Sequence, residues 1–375
     1  VDFSIVSLVA QEPPTGRTKS LPLMTSSPRP LRALWSMDGR PNAWIYSLML
    51  WQEFYPPDPT EQNAFIGASV STNASGSRSL KYGATRRWVR RIKVVLSDGT
   101  TLDLARKMGT VPKKRGQSPF FDFIPTYRTP SIKNAAGYYV DDRMDPLDLF
   151  IGAEGTLGVV TEVEVELIPK PEKLFSGVVF FSREEEAWQW VDQARREGYG
   201  ARAMEYLDAR SLDLLREKYP QIPSAAAAAI FFEQEVAGDS EDAIAHRWLG
   251  LCQNRHALTD QSWFATTPGE QQEFRQFRYA IPVAVNELLH QYHQTKVGTD
   301  FSVPNLYYFD MLKSYHQAMR GSGLTYCIFG HIGENHLHIN ILPRDEKESL
   351  KAWAIYHQLA KKVIGWGGTI SAEHG

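Results

Sequence analysis

Cysteine is scarce in this chain: Cys252 and Cys327 are the only two among 375 residues, and no CxxC pair occurs. That excludes a disulfide framework and fits a reducing compartment. No apolar run approaches the roughly 18 residues that a membrane helix needs, and the N-terminus carries no signal-peptide pattern. Neither sign of charge dominates. The formal net charge of −2 argues against nucleic acid or an anionic membrane as the partner of the whole chain. The local basic runs "RRWVRRIK" from Arg86 and "KKR" from Lys113 are expected on solvated surface. A phosphate loop is absent too, because "TGRTKS" lacks the GxxxxGK[ST] spacing. The cytoplasm is the expected compartment, with peripheral contact at the inner membrane left open.

What is present suffices for about two domains, each with its own core. Residues 1–53 mix Pro, Ser and Arg with no period of 2 or 3.6 and form an atypical N-terminal segment. From residue 54 the texture changes. "AFIGASVSTNASGSRSLKYG" is rich in small residues, and "VRRIKVVLSDGTTLDLA" reads as two strands around an Asp98-Gly99 turn. "PLDLFIGAEGTLGVVTEVEVELIPKPE" closes this region with a glycine-spaced turn and an alternating strand, so a boundary is expected at 169–173. The domains are therefore 54–173 and 174–375. In the second, strands such as "SGVVFFS" and "ARAMEYLD" alternate with amphipathic helices, which predicts an antiparallel sheet covered on one face by helices. The class is α+β. The alanine run Ala225–Ala229 is read as packing within a helix or a strand.

"FGHIGENHLHINILP" (329–343) sets three histidines, a glutamate and two asparagines between apolar strand segments. With a "GENH" loop, Ile332 pairs with Leu337 and His331 lies opposite His338, their Cβ atoms about 4.5–5.5 Å apart. Two imidazoles so placed can close on one divalent ion, with Zn–N bonds of about 2.0–2.1 Å. His336 shares that face, as a further ligand or as a donor to one. The competing reading is a set of sheet histidines bonded to carboxylates. A metal site needs a carboxylate from elsewhere, and Glu373 beside His374 in "SAEHG" offers one.

In chain order, "PPDPTE", "IGASVSTNASGSRSLKYGATR", "KNAAGYY", "DLFIGAEGTLGVVTEVEVELIPKPE", "FRYAIPVAVNE", "KVGTDFSVP", "FGHIGENHLHINILP" and "GGTISAEHG" resemble the FAD-linked oxidases of the vanillyl-alcohol oxidase type. The branch is that of D-lactate dehydrogenase, glycolate oxidase and D-2-hydroxyglutarate dehydrogenase, and the resemblance covers about 54–375. It implies an FAD-binding domain followed by a ferredoxin-like antiparallel-sheet cap domain. It also implies oxidation of a D-2-hydroxy acid to the 2-oxo acid, with electrons passed to a quinone, a cytochrome or an electron-transfer flavoprotein. A homodimer is an open expectation. By the same resemblance FAD is held by Pro57, Asp58, Gly67, Thr72, Asn73, Ala74, Gly76, Ser77, Asn134, Gly137, Glu154, Gly155, Gly158 and Val160, with Lys133 and Tyr138 nearby. Glycines there would let backbone N–H groups approach the cofactor. Arg278 and Lys296 match substrate contacts, and a guanidinium grips a carboxylate through two parallel hydrogen bonds. His331, His338 and Glu373 match ligands of a divalent metal, Zn or Mn, and His374 matches the base that takes the hydroxyl proton. His336 has no assigned role.

Two departures complete the reading. Residues 1–53 contain no "GGGTG"-like pyrophosphate loop, and the chain stops at Gly375, where the family continues with a helix and an "NPGK"-like tail. The expectation is a family enzyme lacking part of each end. The alternative is a non-catalytic remnant or subunit without a competent FAD pyrophosphate site. A sugar-acid or aldonolactone oxidase on the same fold and a metal-only hydrolase are weaker readings.

Overall fold

The computed structural model describes residues 32–35, 53–59, 61, 64–106, 127, 129–141, 144–237 and 240–375. Most of 1–53, including "TGRTKS", and the "KKR" run lie outside the described residues.

Before residue 170 the chain builds a four-stranded antiparallel sheet from β1 (Arg32–Trp35), β3 (Val89–Val95), β4 (Thr101–Ala105) and β5 (Val159–Glu166), in the order β1-β5-β3-β4. A two-stranded ribbon joins β2 (Glu53–Phe54) to β6 (Ile168–Pro169). The Asp98-Gly99 turn closes the β3–β4 hairpin as the sequence predicts. The Asp98 carboxylate accepts the Thr100 N–H at 2.9 Å, and Gly99 takes φ 84°. Val89, Ile92 and Val94 of β3 bury against Val163 and Val165 of β5 and Val70 of the helix Ile66–Ser71. The basic run is not all solvated surface. The Arg86 guanidinium is enclosed, bonded to Asp148 and to the Ile151 carbonyl, and burial lowers its pKa to about 10. An ion held by fixed acceptors can be buried where an unpaired one cannot.

From Lys173 a larger sheet begins: β7 (Lys173–Phe181), β8 (Ala201–Asp208), β9 (Ala228–Val236), β10 (Trp263–Ala265), β11 (Val297–Gly298), β12 (Phe301–Ser302), β13 (Tyr326–Gly330) and β14 (His336–Ile341). The order is β10-β7-β9-β8-β13-β14-β11, with β12 also on β14, and every pairing is antiparallel. Ala228 and Ala229 of the alanine run sit buried in β9, against opposite faces of the sheet.

Helices cover both faces of this sheet, not one. Glu184–Arg196, Glu241–Asn254, Tyr308–Met319 and Glu346–Gly365 pack Trp190, Trp248, Tyr315 and Leu359 on one side. Ala209–Leu215 and Pro268–Tyr292 pack Leu212, Phe277, Ile281 and Leu289 on the other. β8 and β9 bury residues of both parities, such as Met204 with Tyr206 and Ala203 with Leu207. A strand apolar on both faces needs cover on both.

The β13–β14 register also differs from the sequence expectation. Phe329, not His331, faces His338. Residues Ile332–Glu334 form a 3-10 turn ending at Asn335, whose left-handed φ of 53° reverses the chain, so His331 stands at the start of the connection rather than on the ladder.

Candidate active site

His331, His338, Glu373 and His374 nevertheless converge at one end of the large sheet. His331 sends its Nδ1–H to Glu205 Oε1 at 2.6 Å, and its Nε2 lies 3.1 Å from Glu373 Oε1. His338 sends its Nδ1–H to the Thr299 carbonyl at 2.7 Å, and its Nε2 lies 3.6 Å from the same Glu373 oxygen. His374 is exposed and stacks on His338 with ring centroids 5.4 Å apart, its Nε2 3.7 Å from Glu373. The segment 371–374 is held by Asp300: Oδ2 accepts the N–H of Glu373 at 3.1 Å, the N–H of His374 at 2.9 Å and the Ser371 hydroxyl at 3.2 Å. Oδ1 accepts the Nε2–H of His336 at 2.8 Å.

Sequence reading missed Glu205 and Asp300. Glu205 is buried and joins His331 to Arg278, whose Nε is 3.3 Å from Oε2. Burial works against its charge, but Arg278 and His331 hold its pKa down at about 2. Burial likewise opposes a proton on His331, yet Glu205 and Glu373 outweigh it and hold that pKa up at about 9. His374, though exposed to solvent, is desolvated in part by the neighbours it stacks on, which lowers its pKa against the pull of Asp300. Lys133, buried, lies 2.8 Å from Glu373 Oε2 and 3.4 Å from Glu334. Ser75 gives its hydroxyl proton to the same Oε2 at 2.7 Å.

The residues fit a divalent metal. His331 and His338 each commit Nδ1–H to an acceptor and turn Nε2 toward Glu373 Oε1, the arrangement common among metal-bound imidazoles. Once His331 gives up its extra proton, as an imidazole ligand must, Glu205, Asp300, Glu334 and Glu373 set four negative charges against the two positive ones of Arg278 and Lys133, and a dication takes the place of that proton.

Beside this cluster lies a cavity of about 180 Å³ lined by Arg278, Lys296, Asn340, His338, Glu373 and His374, with Ile281, Pro282 and Phe329 as its apolar wall. That is below the roughly 300 Å³ where drug-sized pockets begin, so a small molecule suits it. Arg278 is committed in part to Glu205, whereas Lys296 has no carboxylate partner among the described residues and burial lowers its pKa.

A second cavity, of about 600 Å³, runs from the cluster along the first core past Asn73, Ser75, Lys133, Asn134 and Arg87. Asn134 Oδ1 is a buried acceptor with no partner, and Arg87 on the wall, unlike the ion-paired Arg86, Arg90 and Arg106, suits an anionic, hydrogen-bonding cofactor. Of the predicted cofactor residues, only Asn73 and Asn134 line it. Asp58, which follows Pro57, lies beside Gly76, and Ser77 donates to the Asp58 carboxylate at 2.9 Å. Gly76, at φ 102°, is required by the protein itself, since a Cβ there would strike the Asp58 carbonyl. Gly67 is inside the helix Ile66–Ser71, and the N–H groups of Thr72, Asn73 and Ala74 bond within the protein. Gly137 is in the loop after Asn134, Gly158 immediately precedes β5, and Val160 is within it. Glu154 and Gly155 form a turn, with the Glu154 carboxylate against Gly375.

Comparison with known proteins finds two matching family descriptions: "FAD linked oxidases, C-terminal domain" over residues 170–375 and "FAD binding domain" over 51–105. The glycolate oxidase subunit GlcD of Bacillus subtilis is 30% identical over 329 residues, which is 86% of this chain and 62% of that protein. The mitochondrial D-2-hydroxyglutarate dehydrogenase of Danio rerio is 29% identical, across 83% of this chain and 52% of its own length. Among solved structures, 4-ethylphenol oxidase from Gulosibacter chungangensis superposes with a TM-score of 0.56 at 14% identity, covering 90% of this chain and 68% of that one. An alkyldihydroxyacetonephosphate synthase superposes at 0.59 and 14%, covering 91% and 60%. The chain thus spans between about half and two thirds of the relatives it matches.

Proposed function

Because the chain belongs to the family of FAD-linked oxidases, we propose that it oxidises a small 2-hydroxy acid to the 2-oxo acid, with the D-lactate, glycolate and D-2-hydroxyglutarate types as its substrate class. The observation that carries this reading is the small cavity, with cationic Arg278 and Lys296 and the cluster of His338, Glu373 and His374 on one wall. FAD, when bound, supplies the two-electron oxidant, and a divalent cation held by His331, His338 and Glu373 supplies a Lewis acid that acidifies the substrate hydroxyl. Arg278 and Lys296 hold the substrate carboxylate and fix its orientation. Ile281, Pro282 and Phe329 exclude water and bulk. His374 takes the hydroxyl proton on its imidazole; it is the exposed member of the cluster and is anchored through its backbone to Asp300. The electron acceptor, a quinone, a cytochrome or an electron-transfer flavoprotein, belongs to the same proposal. The test is anaerobic bleaching of the FAD-loaded chain by each of the three acids. Arg278→Ala is expected to raise KM for the reactive acid at least 10-fold with a smaller change in kcat, and an unchanged KM would remove Arg278 from carboxylate binding.

A further inference from the structure

His336 follows the same hydrogen-bonding rule as His331 and His338. Each of the three imidazoles gives one N–H to a fixed acceptor: His331 to Glu205, His338 to the Thr299 carbonyl, His336 to Asp300. Each then has one nitrogen left. In His331 and His338 it is Nε2, near Glu373; in His336 it is Nδ1, which has no hydrogen-bond partner although the side chain is wholly buried. A bare imidazole nitrogen sealed from water is costly unless something occupies it. The ring centroid of His336 lies 4.5 Å from that of His338 and 5.3 Å from that of His331. One ligand atom from each of His331, His336, His338 and Glu373 falls within 4.8 Å of all the others. In a six-coordinate shell, bonds of about 2.0–2.1 Å place neighbouring ligand atoms roughly 2.9 Å apart and opposite ones about 4.1 Å apart, so a shift of about 1 Å by each atom closes the set on one ion.

We propose that His336 is a fourth protein ligand, through Nδ1, of the cation held by His331, His338 and Glu373. This rests on the metal reading of that site. Three imidazoles and one carboxylate select a first-row divalent ion such as Zn²⁺, Co²⁺ or Mn²⁺. A shell of five or six then leaves one or two positions for the oxygens of a hydroxy acid, whereas a closed tetrahedron would leave none.

The full chain is loaded with Zn²⁺ alone, and X-ray absorption at the zinc edge counts the imidazoles; Co²⁺ substitution gives the visible spectrum and the Kd. Three imidazoles in the wild type, two in His336→Asn, and a Kd weakened by more than about 100-fold in the variant are the expected results, the last exceeding the 10- to 100-fold typical of an outer partner. Two imidazoles in the wild type overturn the role of His336 while leaving the metal site standing. Failure of the wild type to take up either metal overturns the metal site and this proposal together. Where His336→Asn does not fold, His374→Asn decides: three imidazoles retained assign the third to His336, and two assign it to His374 and overturn the proposal.

Discussion

Replacing Asp300 by Asn tests how the site is held, because one carboxylate serves two ends of it. Oδ2 accepts three donors from residues 371–374, and Oδ1 accepts the Nε2–H of His336. In the variant the amide oxygen can turn to the 371–374 donors, where each bond loses its charge assistance at about 1 kcal/mol, for a total of about 3 kcal/mol before the relief of a buried charge offsets part of it. The amide N–H₂ then faces His336 and donates to Nε2, which drives the imidazole proton to Nδ1. The nitrogen proposed to bind metal becomes a donor. Restoring the original tautomer sets two N–H groups face to face at a cost of about 1–3 kcal/mol, or roughly 5- to 150-fold in affinity. Urea denaturation of metal-free protein reads the first number, and Co²⁺ titration reads the second. Stability lowered by up to about 3 kcal/mol together with Co²⁺ affinity weakened at least about 5-fold is the expected pair. A folded Asp300→Asn that binds Co²⁺ as tightly as the wild type would refute the tautomer argument.

Two further predictions concern groups away from the site. Burial raises the pKa of Asp208, which caps the helix Ala209–Leu215 through the Ser211 N–H, from 3.8 to about 6. A carboxylate raised on folding costs nothing below about pH 4 and its full penalty above about pH 6, about 3 kcal/mol at 1.4 kcal/mol per unit. Asp208→Asn, which keeps the cap, should therefore match the wild type in urea at pH 4 and exceed it at pH 7; equal midpoints at both pH values would contradict the raised pKa. Burial lifts the Cys252 thiol to about 12 and the Cys327 thiol above its ordinary value as well. Since the thiolate is the nucleophile, native protein should be silent to a disulfide reagent over minutes at pH 8 and show two thiols after denaturation. Prompt native labelling of either would count against their burial.

Local chemistry was legible in the residues themselves; the convergence of His331, His338, Glu373 and His374 was reached through Glu373 and the family resemblance, and the buried partners Glu205 and Asp300 were not legible. The β3–β4 hairpin could be read because Asp98 and Gly99 supply all that the turn requires. The true partner of His338, Phe329 rather than the expected His331, could not, because a 3-10 turn and a left-handed Asn335 lengthen the connection without leaving a hydrophobic signature. Glu205 carried a weak signal. It shares the parity of Ala203 and Leu207 in a strand buried along its whole length, and a carboxylate there demands a counter-charge. Its partners, Arg278 and His331, are 73 and 126 residues away. The glycine-rich segments were legible as special backbone, and at Gly76 the Asp58 main chain by itself already requires the missing side chain.

Glu373 shows why neither core alone makes the site. Its Oε1 faces His331 and His338, which belong to the large sheet. Its Oε2 is fixed by Ser75 and Lys133, which precede β5 and flank the first core. Lys133 also reaches Glu334 in the β13–β14 connection, so one buried ammonium ties two carboxylates of the second core to the first. Burial would strip its proton, but Glu334 and Glu373 keep it charged. Breaking a buried ion pair by removing one partner costs about 3–5 kcal/mol. Orienting the carboxylate and docking the two cores are therefore one event: undocking frees Oε2, and a free Glu373 no longer presents Oε1 alone to the histidines. The polar crowding at 329–343 is thus one half of a contact whose other half lies near residues 75 and 133.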